Sequence, residues 1–129
     1  MSATAMLWIG RAMSTLVVLF LLGASAMPKL AGMAAARDPM AQLGWNPNHV
    51  MAIGVIELTC TLLYAFPRTA FLGAILTTGL LGGAIATQWR ADQPLFSHIL
   101  FGVYLGLLMW GGLWLRDPAL RALLPLRIA

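Results

Sequence analysis

The sequence predicts an all-α membrane protein: an antiparallel four-transmembrane-helix bundle with short interfacial helical segments, forming a single domain over residues 1–129. Three observations predict it. Charged residues make up 9% of the 129 positions where a soluble domain carries roughly a quarter, and the apolar and aromatic residues together reach 60%. Four acidic and eight basic side chains cannot cover a globule of this size with polar surface. The apolar residues also gather in four stretches of about 20, the length that crosses a hydrocarbon layer at ~1.5 Å per helical residue. Such a composition excludes a soluble enzyme, a disordered tail and a disulfide-stapled secreted domain. Cys60 is the one cysteine, so neither an internal disulfide nor a Cys-x-x-Cys redox pair can form. The net charge of +4 and pI near 10.3 come without a basic cluster interleaved with exposed aromatics, and no nucleic-acid partner is expected.

The first span is read at residues 8–27. The connection that follows, 28–48, is the one long loop, and its Ala- and Met-rich middle around Arg37-Asp38-Pro39 is expected to lie at the interface as one or two helical turns. The second span, 49–66, ends at Pro67. Pro67-Arg68-Thr69 is too short for anything but a tight helical hairpin into the third span, 69–89. The fourth span is 95–115. Beyond it the tail 117–129 reads as amphipathic: Asp117 caps, Pro118 takes the first turn, and Leu120, Leu123 and Leu124 oppose Arg121.

A competing reading of the N-terminus takes Arg11, the apolar run Leu16 to Leu22 and Ala24-Ser25-Ala26 as the parts of a cleavable signal peptide, whose removal would leave three helices. With all four helices kept, Arg11, Arg68, Arg116, Arg121 and Arg127 flank one side, against Lys29, Arg37 and Arg90 on the other. That five-to-three bias places both termini in the cytoplasm. Trp8, Tyr64, Trp110 and Trp114 fall at the inner level, and Trp45 and Trp89 at the outer one, as aromatic anchors do.

Helical periodicity then assigns faces. In the second helix Met51, Val55, Leu58, Leu62 and Phe66 form one stripe, and Gly54, Glu57, Cys60, Thr61 and Tyr64 the opposite one, so Glu57 faces protein. The first helix gathers Arg11, Ser14, Thr15, Ser25 and Lys29 on a single face. The third carries small residues on two sides, Ala70, Gly73, Thr77 and Ala84 with Gln88 on one and Gly79, Gly82, Gly83 and Ala86 on the other, and is expected to be packed on both flanks. In the fourth, Gly102 and Gly106 share a face with His98, which serves either bundle packing or dimerisation.

An ionisable side chain in mid-membrane costs about 3 kcal/mol on insertion scales, so each needs a partner or a purpose. Glu57 lies near the centre of its helix, and Arg11 enters about a turn above the inner boundary, roughly 7 Å away along the helical rise. Arg11 and Glu57 are therefore the buried polar pair expected from the sequence. Two roles stand open for them: an ion pair that fixes how the first two helices dock, or a carboxylate that binds and releases a proton at a central site. A second polar group gathers at the outer end around Lys29, His49, Gln88, Arg90, Asp92 and His98. Two histidines there invite a haem or metal reading, but their depths differ by about a turn and no third ligand stands at metal spacing, so no metal site is assigned. A quinone or other lipophilic head group fits this end better, hydrogen-bonded by His98 and Gln88 and flanked by Trp89.

The strings YAFPRTAFLGAILTTGLLGGAIATQWR from Tyr64 and YLGLLMWGGLWLRDPALRALLPLR from Tyr104 resemble the DoxX-like family of small bacterial four-helix membrane proteins. Gly10-Arg11, Pro28-Lys29-Leu30 and Glu57-Leu58 are similar to the same pattern, which covers nearly the whole chain. The resemblance implies a bundle in the bacterial inner membrane, from a family whose name derives from relatives associated with quinone-linked sulfur oxidation. It says more about fold than about reaction. Members resembling this branch carry a histidine two residues before the arginine that ends the third helix, where this chain has Gln88 ahead of Trp89-Arg90. Glutamine donates and accepts hydrogen bonds but does not change charge, so a role that needs imidazole there is not expected here.

Two function classes follow. The first is a small membrane subunit handling electrons or a lipophilic substrate such as a quinone, which would need an oxidoreductase partner, soluble or membrane-bound, to carry any further cofactor. The second is an interaction or assembly protein without chemistry, a homo-oligomer among its forms, in which the ion pair and small-residue faces serve docking alone. No bound cofactor beyond a quinone is suggested, and the lipid bilayer is the one partner common to both classes.

Overall fold

The structure is a computed structural model that describes residues 1–127. Expected helix at positions 128 and 129, the end of the predicted amphipathic tail, lies outside the described residues. Among the described residues six helices follow in order: α1 (Ala3–Leu30), α2 (Ala34–Gln42), α3 (Pro47–Ala65), α4 (Ala70–Arg90), α5 (Leu95–Arg116) and α6 (Pro118–Leu123). No strand occurs among the described residues. Four of these helices, α1, α3, α4 and α5, are long and apolar enough to cross a membrane.

Local sequence sets the ends. Ser2 caps α1 by accepting from the Ala5 N–H at 3.1 Å, and Asn46 accepts from the Asn48 N–H ahead of Pro47, where α3 opens in a 3-10 turn. Phe66 turns extended before Pro67 and stops α3. Thr69 ties the resulting hairpin by donating to the Leu63 carbonyl at 2.6 Å. Asp117 caps α6 through the Ala119 N–H, with Pro118 in its first turn. Gly32 and Gly44, with φ of +68° and +91°, make the left-handed turns on either side of α2. α2 itself runs nine residues, longer than the one or two turns expected of this loop.

The four spans close into a ring in which α1 touches α3 and α5, and α4 bridges α3 and α5. Small residues set the crossings because nothing larger fits. Gly10 of α1 lies against the Gly112 carbonyl of α5, where an added Cβ would come within 2.7 Å. Gly73 of α4 sits on the backbone of Tyr64 in α3, and Gly102 of α5 on Ile85 and Leu81 of α4. The Gly102 position is thus packed inside the bundle. Val17, Leu21, Ala74, Leu105, Met109 and Leu113 fill the centre.

Two features depart from regular helix. Phe20–Ala26 within α1 and Leu95–Ile99 at the start of α5 are π-helical, with wider turns than an α-helix. The first of these rotates the face that α1 presents. Ser14 is buried before it, and Ser25 and Lys29 turn inward after it, while Arg11 and Thr15 remain exposed. The single polar face expected on this helix is thereby split in two. α4 packs against both α3 and α5, but not through both sets of small residues: Ala70, Gly73 and Thr77 are buried, whereas a Cβ added to Gly79, Gly82 or Gly83 meets nothing within 4 Å.

Candidate functional site

The bundle has two polar centres, one near each end. At the end where α1 begins and α5 finishes, the Tyr64 hydroxyl donates to the Met109 carbonyl at 2.6 Å and shares a 2.8 Å hydrogen bond with the Ser14 hydroxyl. Arg116 donates to the same Ser14 oxygen at 3.2 Å, its guanidinium 5.7 Å from the Tyr64 ring centre. Tyr64 is 1% exposed, so it is a keystone of α1, α3 and α5 and not the interfacial anchor its position in the sequence suggests. Trp110 donates to Thr78 at 2.7 Å and Trp114 to the Leu124 carbonyl at 3.0 Å.

The second centre lies toward the opposite end, beneath α2. Glu57 is 4% exposed, and its Oε2 accepts from Lys29 Nζ at 2.8 Å. Lys29 also donates to Ser25 Oγ at 2.7 Å, one helical turn back on α1. Gly54 makes room for this approach, since its missing Cβ would come within 2.9 Å of the Lys29 Cβ. The expected Arg11 partner is replaced. Arg11 is exposed and stacks on Trp8, 5.0 Å from the ring centre. The reason is register: Lys29 and Ser25 lie level with Glu57, so Arg11, 14 positions before Ser25, stands ~21 Å away along α1 at the helical rise. The two helices share no common boundary level, because α1 has 28 residues and α3 only 19.

The Lys29–Glu57 pair forms one wall of a cavity of about 420 Å³, within the size range of small-molecule sites. Its walls are mostly apolar, drawn from Phe20 and Leu21 of α1, Ile53 of α3, and Leu81 and Ile85 of α4. Phe20 meets Phe101 of α5, another lining residue, with ring centres 5.3 Å apart. Polar atoms enter from Ser25, Lys29, Glu57, Gln88 and His98. Both π-helical segments contribute to the lining, through Phe20, Leu21 and Ser25 in one and His98 in the other.

Of the six residues expected at the outer end, three, Lys29, Gln88 and His98, meet at one cavity. A fourth, Arg90, acts on its cover. It donates to the Leu43 carbonyl at 2.8 Å and lies against Gly44, whose missing side chain leaves room for the guanidinium. This holds the end of α2 and the segment after it at the site, where Met40, Leu43 and Trp45 line it. Trp45 supplies the indole expected from Trp89, which is exposed and is not among the lining residues. His49 is likewise outside the lining and exposed. Among the described residues no three His, Cys, Asp or Glu side chains gather at metal-binding distance.

Four unused hydrogen-bonding positions give the cavity its chemistry. Gln88 Oε1 is buried without a hydrogen-bond partner, and an orphaned polar atom of this kind costs about 1–3 kcal/mol until something satisfies it. Turning the amide over presents a donor at the same place, so Gln88 can meet either an acceptor or a hydroxyl. Among the described residues no donor reaches Glu57 Oε1, and Lys29 uses two of its three N–H bonds. His98 engages Ser97 through Nδ1 at 2.7 Å, leaving Nε2 unbonded among the described residues. Helix periodicity could point to Glu57, but not to the register that pairs it or to the two π segments that aim Ser25 and His98.

No curated protein and no solved structure matches the chain. The sequence pattern of the DoxX-like family matches residues 12–112, which takes in all but the first turns of α1, the whole of α2, α3 and α4, and α5 as far as its contact with Gly10. That span contains every residue lining the cavity. A four-span bundle with this cavity at its heart, matched over most of its length, is a multi-pass membrane protein of the DoxX-like family.

Proposed function

We propose that the chain binds the polar head of a lipophilic quinone in the cavity beneath α2, as the membrane subunit of a redox assembly whose electrons come from an oxidoreductase partner. The observation that carries the proposal is the buried, unpartnered amide oxygen of Gln88 in an otherwise apolar cavity that already holds an ion pair. A quinone ring is flat, apolar on its faces and polar only at two opposed oxygens. The cavity offers the same division, with Phe20, Leu21 and Phe101 for the faces, and the Gln88 amide and Lys29 ammonium for the oxygens. Gln88 can donate to a carbonyl or, turned over, accept from a hydroxyl, which suits both the oxidised and the reduced ring. A bound quinone would supply two-electron carrier chemistry. The residues of this chain orient it, and α2 with Trp45 keeps water from it.

The alternative, an assembly protein without chemistry, draws on a different observation. Lys29 and Glu57 already neutralise one another, and the pair joins α1 to α3 at the end where α2 attaches. The two readings part on one experiment. The protein is purified in mild detergent, its lipids are extracted and examined for quinones, and a benzoquinone bearing methoxy and methyl groups is titrated while tryptophan fluorescence is followed. The quinone reading expects a co-purifying quinone and saturable quenching that weakens at least tenfold in Gln88→Leu. No extracted quinone and no saturable quenching would leave the assembly reading.

A further inference from the structure

We propose that the ligand reaches this cavity sideways from the bilayer, through the gap between α3 and α4 beside Gly79 and Gly83, so that the molecule it takes is a tailed membrane lipid and not a small water-borne quinone. The inference rests on the quinone-head reading and adds the route and the tail. Three observations carry it. The end of the cavity nearest water is covered: Met40, Leu43 and Trp45 lie across it, and Arg90 pins that segment by its 2.8 Å bond to the Leu43 carbonyl. The side is open. The lining continues along α4 through Leu80 and Ala84 to Gly79 and Gly83, where a Cβ would meet nothing within 4 Å. The opening is local, because two turns earlier Gly73 of the same helix lies directly on the backbone of Tyr64 and shuts the α3–α4 hairpin.

The hairpin is thus closed at Gly73, and further along α4 the glycines that reach the cavity lining face open space. An alkyl tail in this gap stays among lipid chains and has nothing to gain by being swallowed whole, since hydrocarbon is as apolar as the cavity wall. The polar ring has a reason to enter, because Gln88 and Lys29 offer hydrogen bonds that the lipid interior lacks. The head lies inside and the tail lies out between Gly79 and Gly83.

The test uses the full chain in lipid nanodiscs and two probes, the methoxy- and methyl-substituted benzoquinone with a ten-carbon alkyl chain and the same ring without it. Gly83→Leu puts a side chain in the gap, and the open space around Gly83 leaves the fold intact. Gly82→Leu is the control, on the same helix but outside the cavity lining and equally unobstructed. Expected in Gly83→Leu is a loss of at least tenfold in affinity for the tailed probe and less than twofold for the bare ring, with Gly82→Leu binding both like the unaltered chain. Unchanged binding of the tailed probe in Gly83→Leu overturns the lateral route, and so does an equal loss of both probes, which would place Gly83 against the head. If neither probe binds the unaltered chain, the head-group reading itself fails and takes the route with it.

Discussion

Removing Lys29 is the sharpest perturbation of the buried pair. With 2.8 Å between Nζ and Oε2, Coulomb attraction is ~6 kcal/mol at an effective dielectric of about 20, much of it offset by the desolvation of both groups. What the deletion exposes is the partner left behind. The Glu57 side chain is 5% exposed and has no other cation beside it among the described residues, so Lys29→Met should cost about 3–5 kcal/mol, the usual penalty for an uncompensated buried charge. Glu57→Gln should cost less, about 1–2 kcal/mol. Lys29 is 14% exposed, one residue from the end of α1, and its flexible stem can carry the ammonium toward water. Replacing both by methionine should return stability to within about 1 kcal/mol of the original, because no charge is stranded. Arg11→Met removes only an exposed stack on Trp8 and should cost about 0.5–1 kcal/mol. The assay is reversible unfolding in mixed micelles by titration with a denaturing detergent, followed by circular dichroism. A double variant as unstable as Lys29→Met, or an Arg11→Met that costs more than Lys29→Met, would refute the pairing and the register behind it.

Two further outcomes follow from the packing. Tyr64→Phe removes the donor to the Met109 carbonyl and the acceptor for the Ser14 hydroxyl, leaving buried polar groups unpaired, so it should destabilise by about 1–3 kcal/mol in the same titration; a change below about 0.5 kcal/mol would contradict the keystone role. Gly73→Ala forces a methyl group into the Tyr64 backbone and should cost about 1–3 kcal/mol, whereas Gly82→Ala meets open space and should gain up to about 1 kcal/mol from helix propensity. Equal effects at the two glycines would show that the hairpin is not closed on Gly73.

The stripe of Gly54, Glu57, Cys60, Thr61 and Tyr64 was legible because α3 is a regular helix after its first turn, and all five are buried. The same arithmetic on α1 placed Arg11 and Lys29 on one face, and it failed because Phe20–Ala26 is π-helical and turns the later residues by a different angle. Nothing in Phe20-Leu21-Leu22-Gly23 announces that change. Small residues on α4 were legible as close-packing sites, yet only Gly73 among its glycines is one; a Cβ on Gly79, Gly82 or Gly83 meets open space instead.

Partition into the membrane, the number of spans and the burial of Glu57 were determined by the sequence alone, because hydrophobicity and helical period are properties of short stretches of chain. Which cation reaches Glu57, and that Ser25, Gln88 and His98 share one cavity with it, only the tertiary structure decided. Those facts depend on how far one helix slides along another, and a slide of a few residues exchanges every partner while leaving composition and periodicity untouched.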